Sequence, residues 1–255
     1  MKGSSIALLL LAVAFPILSS GKSQANPKVK PPCKPTLADC PDEGCGGSFD
    51  PNLNRRKNIH SDDQAPTVRN LTWMKSLADP ETFAEGESRE ELTALGEGQK
   101  IAVAAYLLVA KPELGGESCN CGLQTPAETD NHLVLVSRTT VIKFPVSSDP
   151  ATSKNIFHSR ELESETAEFT PRVRLNHPNF TREKVQPLID GTPQQALLVR
   201  VTGLLLFDSE HFIRNHLVRV NNWEIHPVLG LEFCTLGDAC KANSDAGWKS
   251  LDDLP

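Results

Sequence analysis

Residues 196–207 read ALLVRVTGLLLF, a long apolar run with a single glycine, Gly203, near its middle. A run of this composition is typical of a buried β-strand, and a lone glycine inside a strand marks a bulge or a bend. Small closed barrels are built from long strands that bend in this way. The stretch therefore predicts a bent strand in the wall of a barrel.

The chain on either side of this run carries four further strand patterns. Pro171 interrupts one of them, so we expect that strand to be bent or to lie on an edge, because proline cannot donate to a β ladder. The predicted strands are residues 100–110 (KIAVAAYLLVA), 132–136 (HLVLV), 165–174 (ETAEFTPRVR) and 223–234 (WEIHPVLGLEFC).

The segment between the third and fourth predicted strands favours a helix. Residues 179–189 (NFTREKVQPLI) begin with a capping residue and lead to Gly191, which is a common helix ending. The resulting order, β-β-β-α-β-β, is the element order of the OB-fold, a five-stranded Greek-key barrel. We therefore predict a mainly β (α+β) protein with a small OB-like five-stranded barrel and one helix. A β-sandwich or another α+β fold is the alternative.

The same patterns divide the chain into four parts. The parts are a signal peptide (1–25), an irregular Pro/Cys-rich segment (26–97), the OB-like barrel (98–235) and a C-terminal tail (236–255). The irregular segment has predicted short helices at 71–77 and 88–95. The second of these begins at Ser88, which has the spacing of a helix capping box with Glu91 three residues later. Inside the barrel region, residues 140–146 fit a further strand and residues 147–164 a loop insertion.

The N-terminus has the layout of a cleavable secretory signal. Lys2 is followed by the uncharged apolar run 6–17 (IALLLLAVAFPI) and by small residues at 23–25. The run is shorter than the roughly 20 residues that span a bilayer, and an uncleaved membrane anchor is the alternative. We therefore expect a secreted or periplasmic protein with no transmembrane segment after signal cleavage.

The charge balance argues against nucleic acid as a partner. The whole chain carries a net charge of −6, and loss of Lys2 and Lys22 with residues 1–25 would make it −8. A protein that grips phosphates along a nucleic acid usually has a basic excess. Aromatic residues make up only 5% of the chain, so rows of rings for base stacking are also not expected.

The chain has seven cysteines, and outside the cytoplasm the default interpretation is disulfide bonds. A short glycine-containing loop separates Cys234 from Cys240, so we pair these two. Cys119 and Cys121 are too close for an easy bridge with each other and are expected to reach back to residues 33–45. A thiolate zinc site is the alternative, although the spacings do not match common zinc motifs. The remaining candidates for disulfides are Cys33, Cys40 and Cys45.

Two carboxylate–histidine pairs are the strongest candidates for chemistry. Asp130 and His132 are two residues apart, as are Glu224 and His226. Residues two apart in a strand point to the same face, so each pair would place a carboxylate beside an imidazole. Together the four could hold a divalent metal or form a carboxylate-oriented histidine base. The alternative is four separate polar residues that only anchor loops.

A second candidate set would bind a ligand. Arg172 and Arg174 lie on one face of the predicted third strand, and an arginine pair can grip a phosphate or a carboxylate. Asp208 and His211 are three residues apart and His177 follows the third strand, so these polar residues at strand ends join the candidates for ligand binding. The alternative is an exposed, ion-paired strand face. The sequence has no nucleophile motif and no glycine-rich phosphate loop.

Several short strings resemble a group of uncharacterised exported bacterial proteins that end in a W-E-I-H-P-type strand. The resemblance covers most of the mature chain and brings no established activity. Its strings are residues 44–58 (GCGGSFDPNLNRRKN), 117–121 (ESCNC), 130–132 (DNH), 170–174 (TPRVR), 207–211 (FDSEH) and 223–228 (WEIHPV).

Three functions are open at this point. The first is an exported β-barrel that binds a small ligand or an oligosaccharide. The second is a metal-dependent, phosphodiesterase-like hydrolase in which the carboxylate–histidine pairs hold the ion and Arg172 steadies the phosphate. The third is a structural protein of the cell envelope that uses the Pro-rich residues 26–36 as a tether.

Overall fold

The strand patterns of the sequence form one sheet that closes on itself. A computed structural model describes residues 33, 36–47, 49–84, 86–113, 116–211 and 218–255. Within these residues the sheet has seven strands. They are β1 (Thr67–Arg69), β2 (Lys100–Pro112), β3 (Asn131–Val136), β4 (Glu165–Phe169), β5 (Leu197–Phe207), β6 (Trp223–Cys234) and β7 (Trp248–Ser250).

Five of these strands form the closed barrel, in the order β2-β3-β4-β6-β5 and back to β2. All neighbours are antiparallel except β4 and β6, which run parallel. Two outer strands are added to the wall, β1 beside the start of β2 and β7 beside the end of β6. The predicted fold class, mainly β with an OB-like five-stranded barrel, is confirmed.

Gly203 lies at an irregularity in β5, as the sequence predicts. The register between β5 and β6 shifts on both sides of Gly203. A Cβ atom at this position would collide with the carbonyl oxygen of Pro227 and would lie 2.5 Å from Cγ2 of Ile225. Glycine is therefore required because the two strands approach each other too closely here for any side chain.

The barrel interior is filled by every second residue of its strands, because successive side chains point to opposite faces. On β4 and β6, the apolar residues of this alternation belong to one core cluster, and Glu168, Glu224 and His226 face outward. On β3, Leu133 and Leu135 belong to the same cluster, whereas His132 and the apolar Val134 face outward. The interior residues are Leu133, Leu135, Ala167, Phe169, Trp223 and Ile225.

Seven helices accompany the sheet in the described residues. The predicted barrel helix is present between β4 and β5, with Thr181 as its N-cap. Asn179 precedes the helix and donates to the carbonyl oxygens of Leu251 and Leu254. The helices are α1 (Pro51–Lys57), α2 (Leu71–Lys75), α3 (Glu90–Leu95), α4 (Arg138–Lys143), α5 (Pro150–Glu161), α6 (Pro171–Arg174) and α7 (Arg182–Asp190).

Some local predictions were wrong for identifiable reasons. The third strand ends at Phe169, because Thr170 caps a helix and Pro171 occupies its first turn, where a missing N–H costs nothing. Residues 140–146 are not a strand, and α5 lies within the predicted loop 147–164. Ser88 makes no capping box, since α3 begins after Arg89 without a side-chain cap.

Three cysteine pairs lie at disulfide distance. Cys234 pairs with Cys240 as predicted, and Cys121 reaches back to Cys40. Cys33 pairs with Cys45, which leaves Cys119 as a buried free thiol rather than a partner of the N-terminal segment. The predicted signal peptide, and all but residues 33 and 36 of the Pro-rich arm, lie outside the described residues. Where the chain is described, its helices are too short or too polar to cross a membrane.

Candidate metal centre

The outward-facing polar residues of β3, β4 and β6 meet on one patch of the barrel wall. His132 of β3 is the direct cross-strand partner of Glu168 of β4. The parallel pairing of β4 with β6 sets Thr166 opposite Glu224, so the next outward residues, Glu168 and His226, are also neighbours. Strand register thus brings together residues that are up to 94 positions apart in the sequence, from His132 to His226.

Two segments bury this patch, and we call them the cover. They are α1 and a 3-10 turn at Ser118–Asn120 in the connection between β2 and β3. Two asparagines hold these two segments together. Asn54 of α1 donates to Ser118 Oγ, and Asn58, which caps the C-terminus of α1, donates to the carbonyl oxygen of Cys119. The disulfide Cys40–Cys121 reinforces the same junction.

Three side chains beneath the cover point ligand atoms at one another. Asp130 Oδ2 lies 3.6 Å from His226 Nε2, and Glu168 Oε2 lies 3.2 Å from His226 Nδ1. Each of the three offers one ligand atom within 4.8 Å of the other two. All three residues are buried, with relative exposures of 0%, 3% and 1% for Asp130, Glu168 and His226.

The hydrogen-bond pattern leaves two acceptors facing each other. Glu224 Oε1 lies 3.1 Å from His226 Nδ1, and an ionised carboxylate can only accept, so Nδ1 carries the proton. In the neutral imidazole, Nε2 of His226 is then a lone pair that faces Asp130 Oδ2. Neither atom has a geometric hydrogen-bond partner among the described residues, and Asn120 is bonded only to the other oxygen of Asp130. A cation between the two atoms would satisfy both, as would a proton that Asp130 retains.

The pKa shifts within the cluster have the same origin. Burial, followed by the negative charge of Glu117, raises the pKa of Asp130 well above its ordinary value. Burial, followed by the charge of Glu224, does the same to the pKa of Glu168. Both carboxyl groups thus resist ionisation unless a positive charge is close, because a desolvated anion beside another anion is unfavourable.

Arg219 fixes the ionised state of Glu224. Its guanidinium lies 2.6 Å from Glu224 Oε2 and 2.6 Å from Asp208 Oδ2. Burial opposes ionisation of Glu224, but the charge of Arg219 and the contact with His226 together outweigh it, so the pKa of Glu224 lies below its ordinary value. A carboxylate that accepts the remote ring N–H of a histidine is the usual outer partner of a metal-binding imidazole.

A second triad adjoins the first and shares Asp130 with it. Glu117, Cys119 and Asp130 also have ligand atoms within 4.8 Å of one another. Here a cation of the protein is already present, because Lys57 Nζ lies 2.9 Å from Glu117 Oε1. Burial raises the pKa of Glu117, but Lys57, His226 and Asp130 together outweigh this and lower it to about 2. Burial also raises the pKa of the Cys119 thiol, with Glu117 adding to the effect.

The cluster reaches solvent on the side of His132. His132 Nε2 lies 3.2 Å from Glu168 Oε1 and 3.4 Å from Glu113 Oε2, and its side chain is 32% exposed. Burial lowers the pKa of this imidazole. The four residues predicted as metal ligands therefore converge. Asp130, Glu168 and His226 form the inner triad, while Glu224 orients His226 and His132 lies at the rim.

The predicted arginine pair does not form a binding face. Both residues lie on helix α6 rather than on a strand. Arg172 donates to the carbonyl oxygens of Cys40 and Pro41 and lies 3.2 Å from Asp42.

Arg174, two residues after Arg172 on α6, donates to the carbonyl oxygens of Ala127 and Thr129. Both guanidinium groups thus serve to hold loops together.

The other three residues of that set are also dispersed. His177 contacts Asp252 at 2.7 Å and stacks on Phe180. Asp208 is a partner of Arg219 and so belongs to the edge of the metal cluster. His211 ends the 3-10 turn that follows β5. Arg172, Arg174, His177 and Asp208 thus have separate partners in the structure, and a ligand-binding role for the five residues stays a prediction.

Sequence reasoning missed several members of the cluster. Glu168 could have been found, because it alternates with Ala167 and Phe169 in a strand with an apolar face. Glu117 and Cys119 stand in a loop, Lys57 comes from a helix of the irregular segment, and Arg219 precedes β6. No local pattern connects these four to the strands.

The fold and the cluster together define a class: an OB-like β-barrel with a buried carboxylate–imidazole centre on its outer wall. Comparison with known proteins adds no narrower identity. No protein-family model, no curated protein and no solved structure matches the chain.

Proposed function

We propose that this protein binds one divalent metal ion between Asp130, Glu168 and His226. The observation that carries the proposal is the pair of buried, unpartnered acceptors, Asp130 Oδ2 and His226 Nε2, 3.6 Å apart. Two ligand atoms of a tetrahedral ion with bonds of about 2.1 Å lie about 3.4 Å apart, so the observed gap already has nearly the required size.

The charge balance of the cluster supports a cation. Among the described residues, five carboxylates meet only two permanent positive charges, which leaves an excess of three negative charges before any proton is bound. A mixed set of one imidazole and two carboxylates suits Zn²⁺ or Mn²⁺ better than Ca²⁺, which prefers oxygen alone. The carboxylates are Glu117, Asp130, Glu168, Asp208 and Glu224, and the cations are Lys57 and Arg219.

Metal analysis of the purified protein tests this proposal. After incubation with Zn²⁺ or Mn²⁺ and dialysis, we expect one ion per chain in the wild type and far less in Asp130→Asn and His226→Ala. Glu165→Gln is the matched control, since Glu165 is an equally buried carboxylate of β4 that points into the barrel. Retention of the ion by both ligand variants, or no ion in the wild type, would overturn the proposal.

Hydrolysis is the reaction that such a centre supports. A bound divalent ion lowers the pKa of a coordinated water to about 7 and so supplies hydroxide near neutral pH. The half-exposed His132 at the rim marks the side from which water and substrate would approach. Because Arg172 is occupied by backbone carbonyls, the phosphodiesterase version of this hypothesis loses its predicted phosphate ligand.

Chromogenic phosphodiester, phosphomonoester and carboxylic ester substrates test the enzymatic role. Metal-loaded wild type and Glu165→Gln should turn over one of these classes, and Asp130→Asn should not. Stoichiometric metal without turnover of any class would reject the hydrolase and leave the metal-binding function in place.

Binding of a small organic ligand is a second candidate function, favoured by a separate cavity. A space of about 530 Å³ lies outside the barrel between β2, β5 and helix α4. Ligand pockets commonly have volumes of about 300–1,000 Å³ and mostly apolar walls with a few polar groups. Here Tyr106 and Asp238 supply the polar groups, and Val141 and Leu198 are among the apolar ones. A thermal-shift screen of small molecules and oligosaccharides, with Leu198→Trp to fill the cavity, tests this candidate.

We further infer that the protein works outside the cytoplasm. The three cysteine pairs support this location, because disulfides persist in oxidising compartments. The signal-like N-terminus and the resemblance to exported bacterial proteins point the same way. N-terminal sequencing of the exported product would test the predicted cleavage near residue 25. An unprocessed chain that fractionates with the cytoplasm would contradict it.

A further inference from the structure

The two neighbouring triads have the layout of a centre for two metal ions. Asp130 belongs to both triads, and a carboxylate shared by two adjacent ligand sets commonly bridges a pair of ions about 3.5–4 Å apart. Sequence and ligand chemistry alone would therefore suggest a dinuclear centre, with Cys119 as a ligand of the second ion. The question is whether the second position is open.

Lys57 lies beside the second position and is bound to one of the carboxylates that the second ion would need. Its ammonium group lies 2.9 Å from Glu117 Oε1 and 3.8 Å from Glu210 Oε2. The side chain is only 5% exposed and extends from the C-terminal end of α1, whose packing against the barrel fixes its position. A cation bound to the same carboxylate repels a divalent ion strongly in a buried site.

We infer that Lys57 serves as the resident cation of the second position, so the centre is mononuclear and Cys119 is not a metal ligand. The contacts of Cys119 agree with this role. Its Sγ lies 3.7 Å from Glu117 Oε2, a distance at which a protonated thiol donates to the carboxylate. The inference rests on the proposed metal-binding function and specifies how many ions it involves.

Titration with Co²⁺ tests the inference, because thiolate ligation to Co²⁺ gives an intense near-ultraviolet charge-transfer band that oxygen and nitrogen ligands do not give. The wild type should bind one Co²⁺ without this band. Lys57→Met should bind a second Co²⁺ with the band, and the double variant Lys57→Met/Cys119→Ser should lose the band. Lys100→Met is the control, since Lys100 is ion-paired with Asp62 outside the cluster.

Wild-type measurements decide the matter even if Lys57→Met fails to fold. Two Co²⁺ per wild-type chain, a thiolate band in the wild type, or a tenfold loss of Co²⁺ affinity in Cys119→Ser alone would overturn the inference. A folded Lys57→Met variant that still binds a single ion without the band would do so as well. If only Lys57→Met binds Co²⁺, the proposed function fails while the role of Lys57 stands.

Discussion

Replacing Glu165 by glutamine should make the protein's stability much less sensitive to alkaline pH. Glu165 is fully buried inside the barrel, and neither of its carboxyl oxygens has a hydrogen-bond partner among the described residues. Burial raises its pKa to about 8, although Lys75 and Arg219 act in the opposite direction. The folded protein therefore keeps a proton on Glu165 over a pH range in which the unfolded chain releases it.

The sign and size of the effect follow from this difference in proton binding. Between the ordinary pKa of 4.5 and the folded value of about 8, the unfolded state binds fewer protons, so stability falls as pH rises. The stabilisation that is linked to the proton on Glu165 is fully present below the ordinary pKa of 4.5 and is lost as pH rises through the folded pKa of about 8. Between about pH 5 and about pH 8.5 the expected loss from this one group is at most about 4 kcal/mol.

Urea unfolding at these two pH values measures the effect. Fluorescence reports the transition, because Trp223 is buried in the core and becomes exposed on unfolding. Other buried carboxyl groups titrate in both proteins, so the quantity to compare is the stability of Glu165→Gln minus that of the wild type at each pH. This difference should increase in favour of the variant by about 2–4 kcal/mol on going to the higher pH.

A stability difference that stays constant within about 1 kcal/mol between the two pH values would refute the reasoning. It would mean that Glu165 ionises near its ordinary pKa despite its burial. Arg219 or Lys75 would then have to approach its carboxylate in solution more closely than the described hydrogen bonds indicate.

Three further changes have expected outcomes that thermal or urea unfolding can measure. Gly203→Ala should destabilise the protein by about 2–3 kcal/mol, because the new Cβ would clash with Pro227. Gly230→Ala is the control and should cost less than about 1 kcal/mol, since the nearest atom to its Cβ is 3.4 Å away. Equal costs would contradict the close approach of β5 and β6. A disulfide that closes a longer loop removes more entropy from the unfolded chain. Serine replacement of Cys40 and Cys121, which are 81 residues apart, should therefore cost about 4 kcal/mol, against about 2 kcal/mol for Cys234 and Cys240, which are 6 apart. The reverse order would exclude this explanation. Arg219→Met should cost about 3–5 kcal/mol because it leaves Glu224 and Asp208 buried without a counter-charge. Arg200→Met should cost less, because its partners Glu232 and Asp245 keep 29% and 97% of their side-chain surface exposed.

The strand order of the barrel was predictable, because its apolar runs are long and separated by turn residues. Of the short helices, α2 and α3 lie within the predicted helices 71–77 and 88–95, whereas α4 and α5 were not predicted. Residues 138–143 (RTTVIK) contain four β-branched residues that favour a strand locally, yet Ser137 caps them as a helix. Packing against the barrel wall overrides local propensity at such positions, and the sequence around them carries no sign of that packing.

Half of the candidate centre could be predicted in the same way. The spacing of Glu224 and His226 correctly predicts a carboxylate beside an imidazole, because it depends only on strand alternation. The Asp130–His132 spacing is less informative, because Asp130 precedes β3 and faces His226, while His132 faces Glu168. Register between distant strands decides which residues meet, and a single sequence does not contain it.

The cover couples the centre to the redox state of its surroundings. The disulfide Cys40–Cys121 lies where the two segments of the cover touch, and both segments shield the same buried carboxylates. In a reducing compartment the hydrogen bonds and the Lys57 ion pair seen among the described residues would have to keep that shield closed without the disulfide. With the export and the ion binding proposed above, the centre would therefore mature after translocation, where oxidants can seal the shield.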